Sequence, residues 1–195
     1  MLPALAAQIK QKLGEKLRCL YLNSPTMVAG MRSYLFASGV DVTSEVTRGS
    51  LVLSSNQSHL KGGKFDADSM LQLLEQNLDQ AVRDGYAGLW ATGDMSWELG
   101  ADKDLKKLLE YEWKLEKFFE THPALSGICQ YHADILPREI VYHGLLVHPG
   151  LFVNQTLSRV NPHFIASDAS LEPVIPTAGI KDAVQNLCAL QENAH

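Results

Sequence analysis

The sequence predicts an α/β protein, a three-layer α/β/α sandwich built on a mostly parallel sheet. Three observations carry that prediction. The runs at residues 17–22, 51–53, 89–92, 125–131 and 151–153 are short and almost continuously apolar, as strands covered on both faces are. Stretches with apolar residues at helical spacing separate them, so strands alternate with amphipathic helices. The chain has 195 residues with 46% hydrophobic content, enough for one domain with a full core. Right-handed crossovers then place helices on both sides of the sheet.

Taken in order, Leu5, Ile9 and Leu13 share one helical face, and Gly14 is expected to supply the left-handed stop. Leu17–Leu22 follows as a strand. Asn23-Ser24-Pro25-Thr26 is a turn with capping residues, and Met27, Met31, Tyr34 and Leu35 continue as a helix as far as Gly39. After the 51–53 strand, residues 54–65 are polar and glycine-bearing and read as the longest loop. Asp66 or Asp68 then caps a helix whose stripe is Met70, Leu71, Leu74, Leu78, Ala81 and Val82, ended by Gly85. Asp102 or Asp104 opens a helix that runs to about Glu120, stopped by Thr121-His122-Pro123. Pro137 suits a first helical turn, Ile140, Val141, Leu145 and Leu146 form its face, and His148-Pro149-Gly150 breaks it. Beyond Asn161-Pro162 the pattern weakens. Residues 1–165 form the expected domain, and 166–195 a linker with a final helix from Gly179 to about Leu190.

Seventeen Lys and Arg against 22 Asp and Glu give a net charge of -5, scattered rather than blocked, so no basic footprint for nucleic acid or an anionic membrane is present. Cys19, Cys129 and Cys188 are odd in number and far apart, which reads as reduced thiols rather than a disulfide framework. The start has no signal-peptide pattern and no run approaches a bilayer span, so a cytoplasmic chain is expected, with the sequons at Asn56 and Asn154 unglycosylated.

Three places break pattern. The strand at 89–92 ends abruptly in Gly93-Asp94-Met95-Ser96-Trp97, an acid and an aromatic at the carboxyl end where open α/β sheets bind ligands. An ordinary turn is the plainer reading. Glu112 falls on the face defined by Leu105, Leu108, Leu115 and Phe119. It meets either a ligand or polar partner, or water at the margin of the stripe. Gln130 and Tyr131 close the next strand and bring a hydrogen-bonding amide and an aromatic body to the same edge. Asn23 and Ser24, in the turn after the first strand, join this candidate ligand set.

Catalytic and metal signatures are not found. Cys129 has no cationic neighbour in sequence to activate it. His122, His132, His143 and His148 lack metal-ligand spacing, and His148 is better placed to meet the carbonyls of a helix end. There is no Gly-x4-Gly-Lys-Ser/Thr, since Lys61-Gly-Gly-Lys64 runs into Phe65, and no Gly-x-Ser-x-Gly elbow.

The ordered set Gly14–Leu22, Gly63-Lys-Phe65-Asp66, Gly85-Tyr86-x-Gly88-Leu89, Thr92-Gly-Asp94-Met-Ser-Trp97, Leu109-Glu-Tyr111-Glu112, Cys129-Gln-Tyr131, His148-Pro149 and Asn161-Pro162 resembles the MEDS domain over residues 10–165. These are sensory domains of methanogens and methylotrophs, DcmR-type regulators among them. The resemblance implies a RecA/KaiC-like core without a phosphate loop and a role in sensing simple hydrocarbon derivatives. Two departures stand out. Asp94 replaces the family's usual Glu, and the family's first strand, with its His- and aromatic-containing motif, precedes the point where this sequence starts. Its loss would leave an open sheet edge that invites pairing.

Together these readings predict a non-enzymatic cytoplasmic sensor without cofactor or metal. It would bind a small organic ligand through Asp94, Trp97, Glu112, Gln130, Tyr131, Asn23 and Ser24, and signal to a histidine kinase, a transcription regulator or a second copy in a homodimer. The competing expectation is a degenerate ATPase-like scaffold that acts through its surfaces or by homo-oligomerisation.

Overall fold

Arg18–Leu22 is buried at every position, and this continuous burial marks it as an inner strand of a parallel sheet. The computed structural model describes residues 1–98, 100, 104–153, 156–158, 161 and 164, in two units, residues 1–130 and 131–195. In the first unit α1 (Leu2–Gly14) precedes β1 (Arg18–Leu22), and α2 (Pro25–Ala37) and α3 (Val42–Thr47) lead to β2 (Leu51–Ser54). A small hairpin, β3 (Leu60–Lys61) and β4 (Lys64–Phe65), and the long α4 (Ala67–Arg83) lead to β5 (Leu89–Asp94). The one-turn α5 (Met95–Glu98) and α6 (Leu105–Thr121) connect β5 to β6 (Leu125–Gln130).

The sheet has the order β2-β1-β5-β6, with all pairs parallel. From β1 the chain steps outward to β2, then crosses back past β1 to β5 and on to β6. The direction of winding reverses between β1 and β5, and the carboxyl ends of those two strands flank the point where open sheets leave a crevice. Asn23 follows one of these strands and Asp94 ends the other.

Period-two alternation assigns the side chains to two layers. Cys19, Tyr21, Leu51 and Trp90 pack with Leu5 and Ile9 of α1 and Met31 and Leu35 of α2. Leu22, Ala91, Gly93, Gly127 and Cys129 turn to the opposite face, towards Met70 and Leu74 of α4 and Leu115 and Phe119 of α6. The expected α/β/α sandwich is therefore the fold of the first unit.

Local signals resolve the alternatives that the sequence left open. Asp66, rather than Asp68, accepts from a backbone N–H at the start of α4, and Asp104 does so at the start of α6, while Asp102 lies outside the described residues. Gly85, at φ 84°, closes α4 as expected, but after α1 the left-handed residue is Lys16, at φ 62°, and not Gly14. Residues 54–65 are more ordered than a loop, since the β3–β4 hairpin lies there. Short elements of this kind carry too few residues to show a period.

The second unit holds α7 (Arg138–Val147), β7 (Leu151–Val153) and β8 (Thr156–Ser158). The strand expected at 151–153 forms, but it pairs antiparallel with β8 in a sheet of its own. His148 Nδ1 lies 2.7 Å from the Gly144 carbonyl, the helix-end contact its position suggested. Asn161 Nδ2 donates to the carbonyls of Leu145 and, at 2.7 Å, His148. The expected linker and final helix lie outside the described residues, as does Cys188. Among the described residues no helix is long and apolar enough to cross a membrane.

Candidate functional site

The carboxyl ends of β1, β5 and β6 carry buried polar groups on both faces of the sheet. On the α1/α2 side, the Tyr21 hydroxyl accepts from Asn23 Nδ2 at 3.1 Å, and Asn23 Oδ1 accepts from the Ser24 N–H at 2.7 Å. Ser24 in turn caps α2, its Oγ accepting from the Met27 N–H. Burial first, and the nearby Asp94 charge second, push the Tyr21 phenol up to about 12, against the opposing effect of the Asn23 hydrogen bond. Thr92 Oγ1 donates its single proton to the Ile128 carbonyl at 2.7 Å, so it can only accept from Gln130, whose Nε2 lies 3.0 Å away. That fixes the amide orientation and leaves Gln130 Oε1 buried without a hydrogen-bond partner.

Asp94 is buried at the end of β5, opposite Gln130 in the register. Its Oδ1 accepts from the Ser96 N–H and the Trp97 N–H, so the acid that first broke the apolar pattern also starts α5. Trp97 is half-buried and tilts against the ring of His59, with centroids 5.7 Å apart. His59 reaches α5 from the segment just before β3, its Nε2 placed 3.0 Å from the Glu98 carbonyl. That geometry makes Nε2 the donor and leaves buried Nδ1 without a partner, and burial holds the imidazole below its usual pKa.

The α4/α6 side is acidic. Glu98, the last residue of α5, folds its carboxyl over Gly93, where a Cβ would overlap Oε1. Glu112 comes from α6 with only 3% exposure, so the buried reading of that position holds, and its Oε2 lies 4.0 Å from Cys129 Sγ. Tyr111 stands beside it on the same helix and packs its ring edge on Phe65. Burial, reinforced by Glu112 and Asp94, drives the Glu98 carboxyl far above the ordinary range, so that its neutral form is favoured. Burial also raises Cys129 and Tyr111, with Glu98 and Glu112 adding to both. The thiol is thereby kept protonated, although Cys129 is only partly buried and not the fully buried core cysteine expected.

Between these acids and the helices lies a cavity of about 30 Å³, room for about two water molecules. Leu22, Met70, Leu74, Leu115 and Phe119 make its walls apolar, and Glu98, Tyr111 and Cys129 make one end polar. Glu98 Oε2 is fully buried and has no hydrogen-bond partner.

A family model for MEDS, the MEthanogen/methylotroph, DcmR Sensory domain, matches residues 1–149. The chain belongs to the MEDS family. No curated protein and no solved structure matches it. MEDS is a sensory-domain family, so a sensory or regulatory role is the frame for the buried acids.

Within the first unit of this MEDS domain the residues singled out from sequence do not form one wall. Tyr21 with Asn23, and Thr92 with Gln130, are two hydrogen-bonded pairs on one side, whereas Glu112 stands with Glu98 and Cys129 on the other. Trp97 packs on His59, and Ser24 is a helix cap. Tyr131 opens the second unit, where its ring lies against Gly144 and 6.0 Å from His148. Sequence reasoning missed Glu98 and His59.

Proposed function

We propose that this MEDS domain is a non-catalytic sensor that binds a small organic, hydrocarbon-derived ligand at the carboxyl edge of its parallel sheet and signals to a kinase or a transcription regulator. The observation that carries the reading is the unpartnered Glu98 Oε2 in an otherwise apolar cavity. A buried oxygen without a partner costs about 1–3 kcal/mol. A fold kept only for its surfaces gains nothing from that cost, whereas a ligand with an apolar body and one polar group offsets it. Gln130 Oε1, Asp94 and Asn23 form the polar counterpart across the sheet, and Glu112 sets the charge beside the cavity.

Signal transfer follows from the size of the cavity. Anything larger than two or three heavy atoms displaces its lining, in which Met70 and Met95 are the adaptable side chains. A displaced Glu98 shifts α5, and the Glu98 carbonyl hands that shift to His59 and the hairpin beyond it. Ligand then biases two states by its difference in affinity for them. Titrating one- to four-carbon alcohols, amines and halides while following tryptophan fluorescence and melting temperature is expected to give a saturable shift, reported by Trp97 through its contact with His59. A folded protein that responds to none of these compounds would sink the proposal.

A further inference from the structure

The cavity also constrains what kind of small organic molecule it takes, and this inference rests on the sensor reading above. Its lining is mostly apolar, with Glu98 as the one carboxylate among it, which suits an occupant with one polar end and a hydrocarbon remainder. The volume limits that remainder to one or two carbons. The polar end meets Glu98 Oε2, held in place because β5 has no side chain at Gly93.

Charge decides between a neutral and a cationic head. The groups that face Glu98 are Asp94 from β5, Glu112 and Tyr111 from α6, Cys129 from β6, and His59, whose ring contacts the Glu98 carbonyl. The side chains that push the Glu98 carboxyl up beyond the effect of burial, Glu112 and Asp94, are both acids. A neutral alcohol gains nothing from such a field, whereas an ammonium ion is attracted by it, most strongly at low local dielectric.

We propose that the cavity is a site for a short primary alkylammonium ion, its ammonium on Glu98 Oε2 and its alkyl group among Leu22, Met70, Leu74 and Leu115. Without the ion, burial favours the protonated form of Glu98. When the alkylammonium enters, the Glu98 O–H breaks, the carboxylate stays as counter-ion, and the proton leaves to solvent. One cation enters and one proton departs, so the buried net charge is unchanged.

The test is calorimetric titration of the full chain with methylammonium chloride, ammonium chloride and methanol, in two buffers of equal pH and different ionisation enthalpy. Methylammonium is expected to bind with release of close to one proton per site and an affinity that rises up to tenfold per pH unit. Ammonium binds about fourfold more weakly, the worth of one buried methyl group. Glu98→Gln is expected to abolish the proton release and weaken methylammonium at least tenfold. The proton count is read on the unmodified chain, so the test stands even where the variant does not fold. Methanol binding with methylammonium silent, or methylammonium binding without proton release, overturns this inference and leaves the sensor reading in place. If these three ligands and the wider alcohol, amine and halide set all fail to bind the folded chain, both fall.

Discussion

The two faces of the parallel sheet use the same strands, and helices cover each of them, yet they are packed to different ends. Under α1 and α2 the core is sealed from solvent at Ile9, Cys19, Tyr21, Met31 and Leu35, all at 0% exposure. Under α4 and α6 the apolar walls stop short of each other around a cavity, and the acids Glu98 and Glu112 are buried beside it. Away from the polar groups at its carboxyl edge, the first face is what burial alone produces. The second withholds part of that stabilisation, and the groups left incompletely satisfied there are those able to bind something.

The sharpest way to break the comparison is to open the sealed face. Ile9→Ala deletes a side chain with no slack around it and should cost about 2–5 kcal/mol, read by chemical denaturation. A loss below about 1 kcal/mol would show that this face relaxes as freely as the other, and the contrast would fail.

Next in size is the contact that shapes the open face. Gly93→Ala places a methyl group where Glu98 Oε1 sits and should cost about 1–3 kcal/mol. The obstacle is a side chain rather than backbone, so Glu98→Ala in the same chain should recover most of the loss. A double-mutant cycle with a coupling energy near zero would mean that Glu98 is not held over Gly93 in solution.

What was legible in the sequence divides along similar lines. The layers, the parallel sheet and most helix limits followed from periodicity, because long elements repeat their pattern enough times to be read. Asp94 and Glu112 could be seen because each interrupts such a pattern, an apolar strand in one case and a helical stripe in the other. Glu98 and His59 interrupt nothing. The first sits in a helix of four residues and the second beside a hairpin of two-residue strands, both too short to set an expectation. The two-sided placement of the site was half available, since alternation along β5 already sends Gly93 and Asp94 to opposite faces. That Glu98 returns over Gly93 depends on the turn of α5, which Asp94 starts by capping.

The smallest expected effect is also the most specific to the open face, and it appears in the dependence of stability on pH. Glu98 titrates far above its ordinary value of 4.5 when folded, so above about that pH the folded chain holds a proton that the unfolded chain has lost. Its contribution is complete below that pH and declines as pH rises towards the folded pKa, by at most about 1.4 kcal/mol per pH unit. Asp66, whose folded pKa is lowered to about 2 by Lys61 and Ser69, acts in a separate window, since its contribution is lost as pH falls below 3.8. His59, depressed by burial, opposes Glu98 below its ordinary 6.5, because the unfolded chain then binds the extra proton. The useful quantity is therefore the difference between the native chain and Glu98→Gln, in which Asp66 and His59 cancel. From pH 5 to 8 that difference should move steadily in favour of the glutamine variant, which keeps the shape and gives up the titration. A flat difference in urea midpoints over that range would place the Glu98 carboxyl in contact with water, and the face under α4 and α6 would lose the feature that sets it apart.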